Sequence, residues 1–220
     1  MSSVVLFSKI SPSDIRFGGV EKTKRGSKMV LYEYQGANKR LLFQTPKCRA
    51  PYGISTWMGN EGDVPVNSID LSLEDSAFRT LLEGLDSMLI SGAMENNWFS
   101  KPVSGELMSE LRRPLVKAPS DPKYSPTCKV KITPTTAIFD ENRTPMALND
   151  IKKGSTVRLI VELSPVWFLA SAYGVSLRAV QIQVVAPPSG GGQEISSFAF
   201  IGEPDDEDGD GHGDGDGDEL

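Results

Sequence analysis

The sequence predicts a mainly β protein, built as a small antiparallel barrel with one inserted amphipathic helix and a disordered acidic C-terminal tail. Three observations support this fold class. Five or more segments have the β-branched and aromatic composition, or the period-two alternation, of strands. One segment carries an apolar stripe at helical spacing, and the last 18 residues are rich in acids and glycine.

The first half of the chain predicts a β-hairpin. Residues 28–34 and 39–45 are rich in aromatic and aliphatic side chains, and Gln35-Gly36-Ala37-Asn38 supplies turn residues between them. Pro46 and Pro51 follow, and proline removes a backbone donor from regular structure. We therefore expect the two segments to pair and to end near Pro46.

One substantial helix is predicted after residue 72. Ser72 and Asp75 stand three residues apart, as in a capping box with Asp in place of Glu or Gln. Gly92 is the expected stop, and Gly84 weakens the middle of the helix by about 1 kcal/mol relative to Ala. The apolar stripe comprises Ala77, Phe78, Leu81, Leu82, Leu85, Met88 and Leu89. A short helix is expected at 106–111, within the proline-rich stretch 100–127.

Strand patterns return in the second half of the chain. They cover residues 128–133, 156–163, 166–173 and 177–185, with Gly154 and Gly174 as turn residues. Residues 187–192 have the composition of a linker, and 198–201 form a final strand or a docking segment. This strand count with one helix fits a barrel of the OB type, and a β-sandwich fits nearly as well. We expect one domain over 1–202 and a disordered tail over 203–220.

The acidic pI conceals a basic body. The chain has 220 residues, 23 Lys and Arg, 29 Asp and Glu, a net charge of −6 and a pI near 4.9. Ten of the acids lie in residues 203–220, which contain no Lys or Arg, so residues 1–202 carry 23 bases and 19 acids, a net of +4. Charge blocks at a terminus are typically solvated interaction tails.

The bases are clustered and aromatic residues are interleaved with them. Two stretches are basic: residues 14–50 hold nine bases and three acids, and residues 101–131 hold seven bases and three acids. Residues 51–100 between them are acidic, with one base and eight acids. Tyr52, Trp57 and Tyr124 stand within or beside the basic stretches. Cations that neutralise phosphates and aromatic rings that stack on bases are what binding of a single nucleic-acid strand requires.

Other classes of function are disfavoured. The single histidine, His212, lies in the tail, so the body lacks the base of a Ser-His-Asp or Cys-His site, and we expect neither an enzyme nor a cofactor. Cys48 and Cys128 have no metal spacing, and the EF-hand-like run 208–219 lacks its flanking helices, so no metal site is predicted. No apolar run reaches the ~18 residues of a membrane span, and an intracellular protein, cytoplasmic or nuclear, is expected.

The acidic tail suggests a mechanism. A tethered polyanion competes with phosphate for a cationic groove at high effective concentration, and once displaced it is free to recruit a basic partner. The tail set comprises Asp205, Asp206, Glu207, Asp208, Asp210, Asp214, Asp216, Asp218 and Glu219. The alternative is a non-catalytic structural or interaction protein whose tail binds cationic partners while its body contacts no nucleic acid.

Several short motifs resemble one family. The motifs occur in the order found in the single-stranded-DNA-binding proteins of nucleo-cytoplasmic large DNA viruses. Those proteins are similar to the single-stranded-DNA-binding protein of the short-tailed coliphages. The motifs are residues 47–53, Trp98-Phe99, 114–117, 123–132 and 173–177. The resemblance implies an OB-fold that binds single-stranded DNA and forms a homodimer. It also implies that the protein acts in an infected host cell and engages replication proteins, such as polymerase or helicase-primase, through its acidic tail. The coliphage tail ends in an aromatic residue, whereas this chain ends in Leu220.

The resemblance also implies a set of DNA-facing residues. Position by position, it assigns Lys47, Arg49, Tyr52, Trp57, Lys123, Tyr124, Lys129 and Lys131. The basic clusters add Lys39, Arg40 and Lys117, whose charges stand beside the same motifs. Binding through this set should show little sequence preference, because every base has a face on which an aromatic ring can stack. The predicted role is in DNA replication, recombination or repair.

Overall fold

The computed structural model describes residues 4–24, 26–36, 40–58, 64–99 and 103–187. Predictions on the linker beyond residue 187, on 198–201 and on the acidic tail lie outside these described residues. The strands are β1 (Val5–Leu6), β2 (Ile15–Lys22), β3 (Lys28–Tyr34), β4 (Leu42–Gln44), β5 (Cys48–Arg49), β6 (Ile54–Trp57), β7 (Val66–Ser72), β8 (Val116–Lys117), β9 (Thr127–Ile132), β10 (Ala137–Phe139), β11 (Thr156–Leu163), β12 (Val166–Leu169), β13 (Ala172–Gly174) and β14 (Leu177–Ala186). The helices are α1 (Ser76–Glu95) and α2 (Gly105–Leu111), and short 3₁₀ turns lie at Phe7–Lys9, Pro12–Asp14 and Leu148–Asp150.

The larger sheet closes into a barrel. Its order runs β4–β11–β14–β9–β7–β6, and β5 also pairs with β11. Because β4, β5 and β6 follow one another within residues 42–57, one continuous segment lies at both ends of this order. The segment bends at Gly53, whose φ of +69° is one that glycine adopts without strain. A Cβ there would lie 3.0 Å from the backbone nitrogen of Lys153.

This architecture confirms the predicted mainly β fold, a small OB-like barrel with an inserted amphipathic helix. The barrel is not purely antiparallel, because β14 runs parallel to both β9 and β10. Apolar side chains that alternate along the strands fill its interior, among them Ile69, Val130, Val161 and Ile182, each 0 % exposed.

The predicted hairpin of residues 28–34 with 39–45 is wrong. Strand β3 pairs with β2 and β12 in a separate four-stranded sheet, while β4 pairs with β11 and β1. A hydrogen bond links the two segments, since the Tyr32 hydroxyl accepts the N–H of Leu41 at 3.1 Å and donates to the carbonyl of Leu163 at 2.8 Å. A turn signal shows that the chain reverses, but it does not specify which strands pair.

The long helix begins and ends a few residues later in the chain than predicted. The Asp75 side chain, not that of Ser72, caps α1 by accepting the N–H of Phe78 at 2.8 Å, and the helix continues past Gly92 to Glu95. Gly92 serves packing instead of termination, because a Cβ there would lie 3.0 Å from a ring carbon of Phe17. The buried stripe includes Phe78, Leu82, Leu85 and Leu89, as the spacing predicts.

The remaining predicted elements match more closely. The helix expected at 106–111 is α2, and the strands expected at 128–133, 156–163 and 177–185 are β9, β11 and β14. The single strand expected over 166–173 is instead the hairpin of β12 and β13, which turns between Leu169 and Ala172. Gly154 occupies a turn with φ +85°, as expected, whereas Gly174 lies within β13.

Candidate nucleic-acid interface

The outer surface of β6 and β9 carries three of the exposed side chains proposed from the sequence, Trp57, Lys129 and Lys131. Along β9, Cys128, Val130 and Ile132 are buried, while Lys129 and Lys131 are exposed between them. Side chains two residues apart in a strand share a face, so both lysines lie on the outside of the barrel.

Trp57 lies on the same outer face. It is opposite Val66 at the end of the β6–β7 ladder, and Ser68, two residues along β7, is opposite Lys131. Val66 and Ser68 therefore share the face that also holds Trp57 and Lys131. Trp57 is 65 % exposed, whereas Trp98 is 2 % exposed in the core. We call this surface, Trp57 with Lys129, Lys131 and the depression beside them, the β6–β7–β9 face.

The depression has a volume of 290 Å³ and adjoins β7, β8 and β9. Two exposed rings line it, those of Tyr52 at 62 % and Tyr124 at 61 % exposure. Lys117 from β8 and Lys129 from β9 supply its cations. Residues separated by as many as 77 positions in the chain thus meet at one site.

The lysines differ in how far they are neutralised. The Lys123 ammonium lies 4.9 Å from the Tyr124 ring centroid and 2.8 Å from the Asp121 carboxylate. Its side chain and backbone N–H both donate to Asp121, which holds the pKa of that carboxyl below its usual range. Within the described ranges, no carboxylate lies within 4 Å of the amines of Lys117 or Lys131. Among the described residues, these two cations have no ion pair to break before they bind phosphate.

Two acidic residues, Asp121 and Asp70, also line the depression. Asp70 is 8 % exposed and its Oδ2 lies 3.7 Å from the Nζ of Lys129, its partner across the β7–β9 ladder. A carboxylate in a cationic site repels phosphate, but it can accept hydrogen bonds from the amino groups of bases. The β6–β7–β9 face is thus a mixed surface of aromatic rings, ammonium groups and two carboxylates.

Other residues proposed from the sequence lie away from this depression. Arg40 is exposed and pairs at 3.5 Å with Glu162 on β11, a strand that does not line the depression. Lys47 and Arg49 are exposed on the segment that pairs with β11, where Arg49 is opposite Thr156. Lys39 and the acidic tail set lie outside the described residues.

The structure adds bases that the sequence reasoning missed. Arg178 is the neighbour of Lys131 across the parallel β9–β14 pair, and it is hydrogen-bonded to Glu162. Lys152 and Lys153 are exposed in the turn whose backbone packs against Gly53, next to Tyr52. The alternation in β14 could have placed Arg178 on an outer face, but no local signal indicates a parallel neighbour.

A strand of nucleic acid suits this chemistry. Exposed rings offer stacking platforms, and the ammonium groups beside them can neutralise a phosphate backbone. Among the described residues there is no cluster of three or more metal-ligating side chains. Neither helix in that part of the chain combines the length and apolar character needed to cross a bilayer.

Comparison with known proteins gives one family and several structures. A family model, "Family of unknown function (DUF5871)", matches residues 62–194, and no curated protein matches. Similar solved structures include the single-stranded DNA-binding protein from bacteriophage Enc34 in complex with ssDNA, at 12 % identity and a TM-score of 0.48, which covers 80 % of this chain and 98 % of that chain. The bacteriophage T7 single-stranded DNA-binding protein gp2.5 matches at 16 % identity and a TM-score of 0.46, covering 75 % and 100 %.

Proposed function

The chain belongs to this family of unknown function, DUF5871, and we propose that it binds single-stranded DNA through the β6–β7–β9 face. The observation that carries the proposal is the placement of three exposed rings, Tyr52, Trp57 and Tyr124, among the lysines of one outer surface. The role is in DNA replication, recombination or repair, and it is one of binding without catalysis.

The exposure of these rings supports a stacking function. Aromatic side chains bury a large apolar area when they pack in a core, and the core of this protein holds Trp98 and Tyr173 at 2 % and 0 % exposure. Trp57, Tyr52 and Tyr124 are each more than 60 % exposed. A stacked base contributes about 1–3 kcal/mol with little dependence on which base it is. Binding should therefore be tolerant of sequence.

The lysines supply the second component. Each phosphate that a lysine neutralises releases counterions, so the logarithm of the binding constant falls with the logarithm of salt by about 0.7 per phosphate on a single strand. Lys117 and Lys131 are free of carboxylate partners in the described part of the chain. We expect steep salt dependence and affinity that grows with oligonucleotide length.

Fluorescence anisotropy with labelled oligo-dT at two salt concentrations tests the proposal. Trp57→Ala should weaken binding by about 1–3 kcal/mol, roughly 5- to 150-fold. Lys131→Gln should weaken binding and reduce the salt slope. The matched controls are Leu169→Ala, which removes a side chain 70 % exposed on β12, and Lys22→Gln on β2. Both should leave affinity within about twofold.

Two results would contradict the proposal. One is an absence of binding at low salt by both the full-length and the tail-deleted protein, which would favour the interaction-protein alternative. The other is equal weakening by Trp57→Ala and Leu169→Ala, which would show that binding does not depend on the β6–β7–β9 face.

For the acidic tail, we propose competition with DNA and recruitment of replication proteins such as polymerase or helicase-primase. Residues 203–220 carry ten acids and no Lys or Arg. Deleting them should tighten DNA binding and raise the association rate, most strongly at low salt, because a tethered polyanion no longer competes for the lysines. Stopped-flow association with oligo-dT measures the rate. Equal rates for the two proteins would rule out competition by the tail.

A further inference from the structure

A second depression, of 390 Å³, lies on the outside of the other half of the barrel and is lined by both polar and apolar residues. We call it the Arg-Gln surface and define it by the polar and aromatic side chains that line it: Gln44, Phe139, Arg143, Arg158, Gln181 and Gln183. They come from β4, β10, β11 and β14 and from the turn after β10. The proposed function does not use this surface.

The strand register places these side chains in two adjacent rows. Gln183 is opposite Arg158 on one side and Phe139 on the other. In the next row, Ile160 is opposite both Gln181 and Gln44. The residues between the rows point inward, since Leu159 and Ile182 are 0 % exposed. The amides and one guanidinium therefore lie together on the outer face of the barrel.

A tight turn supplies the second guanidinium. The turn is closed by hydrogen bonds from the N–H of Asp140 to the carbonyl of Thr144 at 2.9 Å and from the N–H of Arg143 to the carbonyl of Asp140 at 3.2 Å. Arg143 has a φ of +67°, a left-handed conformation that costs a non-glycine residue free energy. The side chain presented from this strained position lines the depression.

Neither arginine is neutralised within the part of the chain that the structure describes. No carboxylate there lies within 4 Å of the guanidinium of Arg143 or Arg158. The Asp140 carboxylate accepts the N–H of Thr144 at 2.7 Å, and Glu162 is engaged by Arg40 and Arg178. Two unpaired guanidinium groups in a concave site favour an anionic ligand, and phosphate matches their fork of donors.

The glutamines and Phe139 favour a ligand with bases over a bare anion. A glutamine amide offers both a donor and an acceptor and can pair with base edges. Three such amides beside two guanidinium groups can contact bases and phosphates together. Single-stranded nucleic acid has this combination of groups.

The Arg-Gln surface is continuous with the β6–β7–β9 face across β14. Lys131 on β9 is opposite Arg178 on β14, and Arg178 is opposite Glu162 on β11. Ile160 and Glu162 lie two apart on β11, but their partners Gln181 and Arg178 lie three apart on β14. Since the register shift there accommodates one extra residue, Arg178 and Gln181 share the outer face. One surface thus runs from Trp57 through Lys131 and along β14 to the two arginines.

We propose that the Arg-Gln surface is a second contact for the same single strand of DNA, occupied once the strand extends beyond the β6–β7–β9 face. The arginines take phosphates and the glutamines take base edges. The inference rests on the proposed function, because it is the strand bound at the first face that reaches the second. Short strands bind the first face alone, and longer strands gain affinity from the second.

The test compares two charge-matched double variants. Arg143→Asn with Arg158→Gln removes both guanidinium groups, and asparagine tolerates the left-handed turn at 143. The control, Lys22→Gln with Lys28→Gln, removes the same net charge from the end of the β2–β3 ladder in the other sheet. Anisotropy is measured with oligo-dT of about 5 and about 25 nucleotides, one near the lower limit of the ~4–16 nucleotides that one OB fold covers and the other above the upper limit.

The arginine variant should bind the short strand like the control variant. For the long strand it should lose about tenfold in affinity relative to the control, with a salt slope smaller by about 1.4, the value for two phosphates. Equal affinities of the two variants for the long strand would overturn the inference while leaving the proposed function intact. Equal losses at both lengths would also overturn it, because the arginines would then belong to the first face. If neither the full-length nor the tail-deleted protein bound either strand at low salt, the proposed function would fail and the inference with it.

Discussion

The Asp70 carboxylate lies 3.7 Å from the Lys129 ammonium across the β7–β9 ladder, within the face that we propose to bind DNA. The pair holds one of the site's cations beside a counterion and places a negative charge where a phosphate would approach. Removal of the carboxylate charge should therefore strengthen binding.

Asp70→Asn is expected to raise affinity for oligo-dT by about 1 kcal/mol, roughly fivefold, because Lys129 is freed and a repulsive charge is lost. Glu33→Gln, at an exposed position of β3 in the other sheet, changes net charge equally and is the control. Anisotropy at fixed salt measures both. A gain no larger than that of the control would show that Asp70 does not restrain Lys129 from binding phosphate.

Trp57 should report DNA binding by its fluorescence. It is 65 % exposed, whereas Trp98 is buried and donates its indole N–H to the carbonyl of Gly18, and Trp167 donates to the Ser176 hydroxyl. Oligo-dT that stacks on Trp57 should quench its emission, and Trp57→Phe should abolish the quench while much of the binding remains, because phenylalanine also stacks. Quenching that persists in Trp57→Phe would place the DNA elsewhere.

The two cysteines should be unreactive in the folded protein. Burial raises the pKa of the Cys48 thiol to about 12, and burial likewise raises the pKa of Cys128. At pH 8 about one Cys48 in ten thousand is then a thiolate, the form that reacts. Reaction with a thiol reagent such as Ellman's should be slow in buffer and complete in denaturant. Rapid native labelling of either cysteine would contradict this burial.

The contact between Arg112 and Asp86 should make a large contribution to stability. Asp86, on α1, is 5 % exposed and lies 3.0 Å from the Arg112 guanidinium, and it accepts the N–H of Leu115 at 2.9 Å. Arg112→Met should lower the free energy of unfolding by about 3 kcal/mol at pH 7, since it leaves a buried carboxylate without its cation. The control is Arg79→Met, from the exposed pair with Glu83, with an expected cost below about 0.5 kcal/mol.

The loss of stability caused by Arg112→Met should be smaller at low pH. Burial raises the pKa of Asp86 above its ordinary value despite the lowering by Leu115 and Arg112, and removal of the arginine raises it further. A carboxyl whose folded pKa exceeds its unfolded pKa stabilises the fold as pH falls through the folded value. Urea denaturation from pH 7 to pH 4 should show the variant approaching the parent protein. A constant difference would mean that Asp86 does not titrate in this range.

Local patterns predicted much of the secondary structure. The apolar stripe of α1 and the alternation in β9 and β14 depend on neighbours along the chain, and both elements lie close to their predicted positions. The interpretation of Gly92 as a helix stop was wrong because its role is to admit the rings of Phe17 and Trp98, which no local pattern reveals.

The candidate site was only partly predictable. Tyr52, Lys117, Tyr124 and Lys129 were named from clustering and resemblance, and the structure brings them to one depression. Arg40 was named on the same grounds, but it pairs with Glu162 elsewhere on the barrel. Charge density along a sequence does not specify the face of a sheet on which a side chain lies. That depends on register, where a shift of one residue reverses the two faces.

By itself, the sequence determined the mainly β class, the long amphipathic helix and the division of charge between a basic body and an acidic tail. Periodicity and composition are properties of short stretches, so these features can be read without the fold. Only the tertiary structure decided that residues 42–57 close the barrel and that Arg178 adjoins Lys131. It also decided that Arg143 and Arg158 share a surface with Gln183. Such pairings join residues far apart in the chain, and they depend on how the whole core packs rather than on any local pattern.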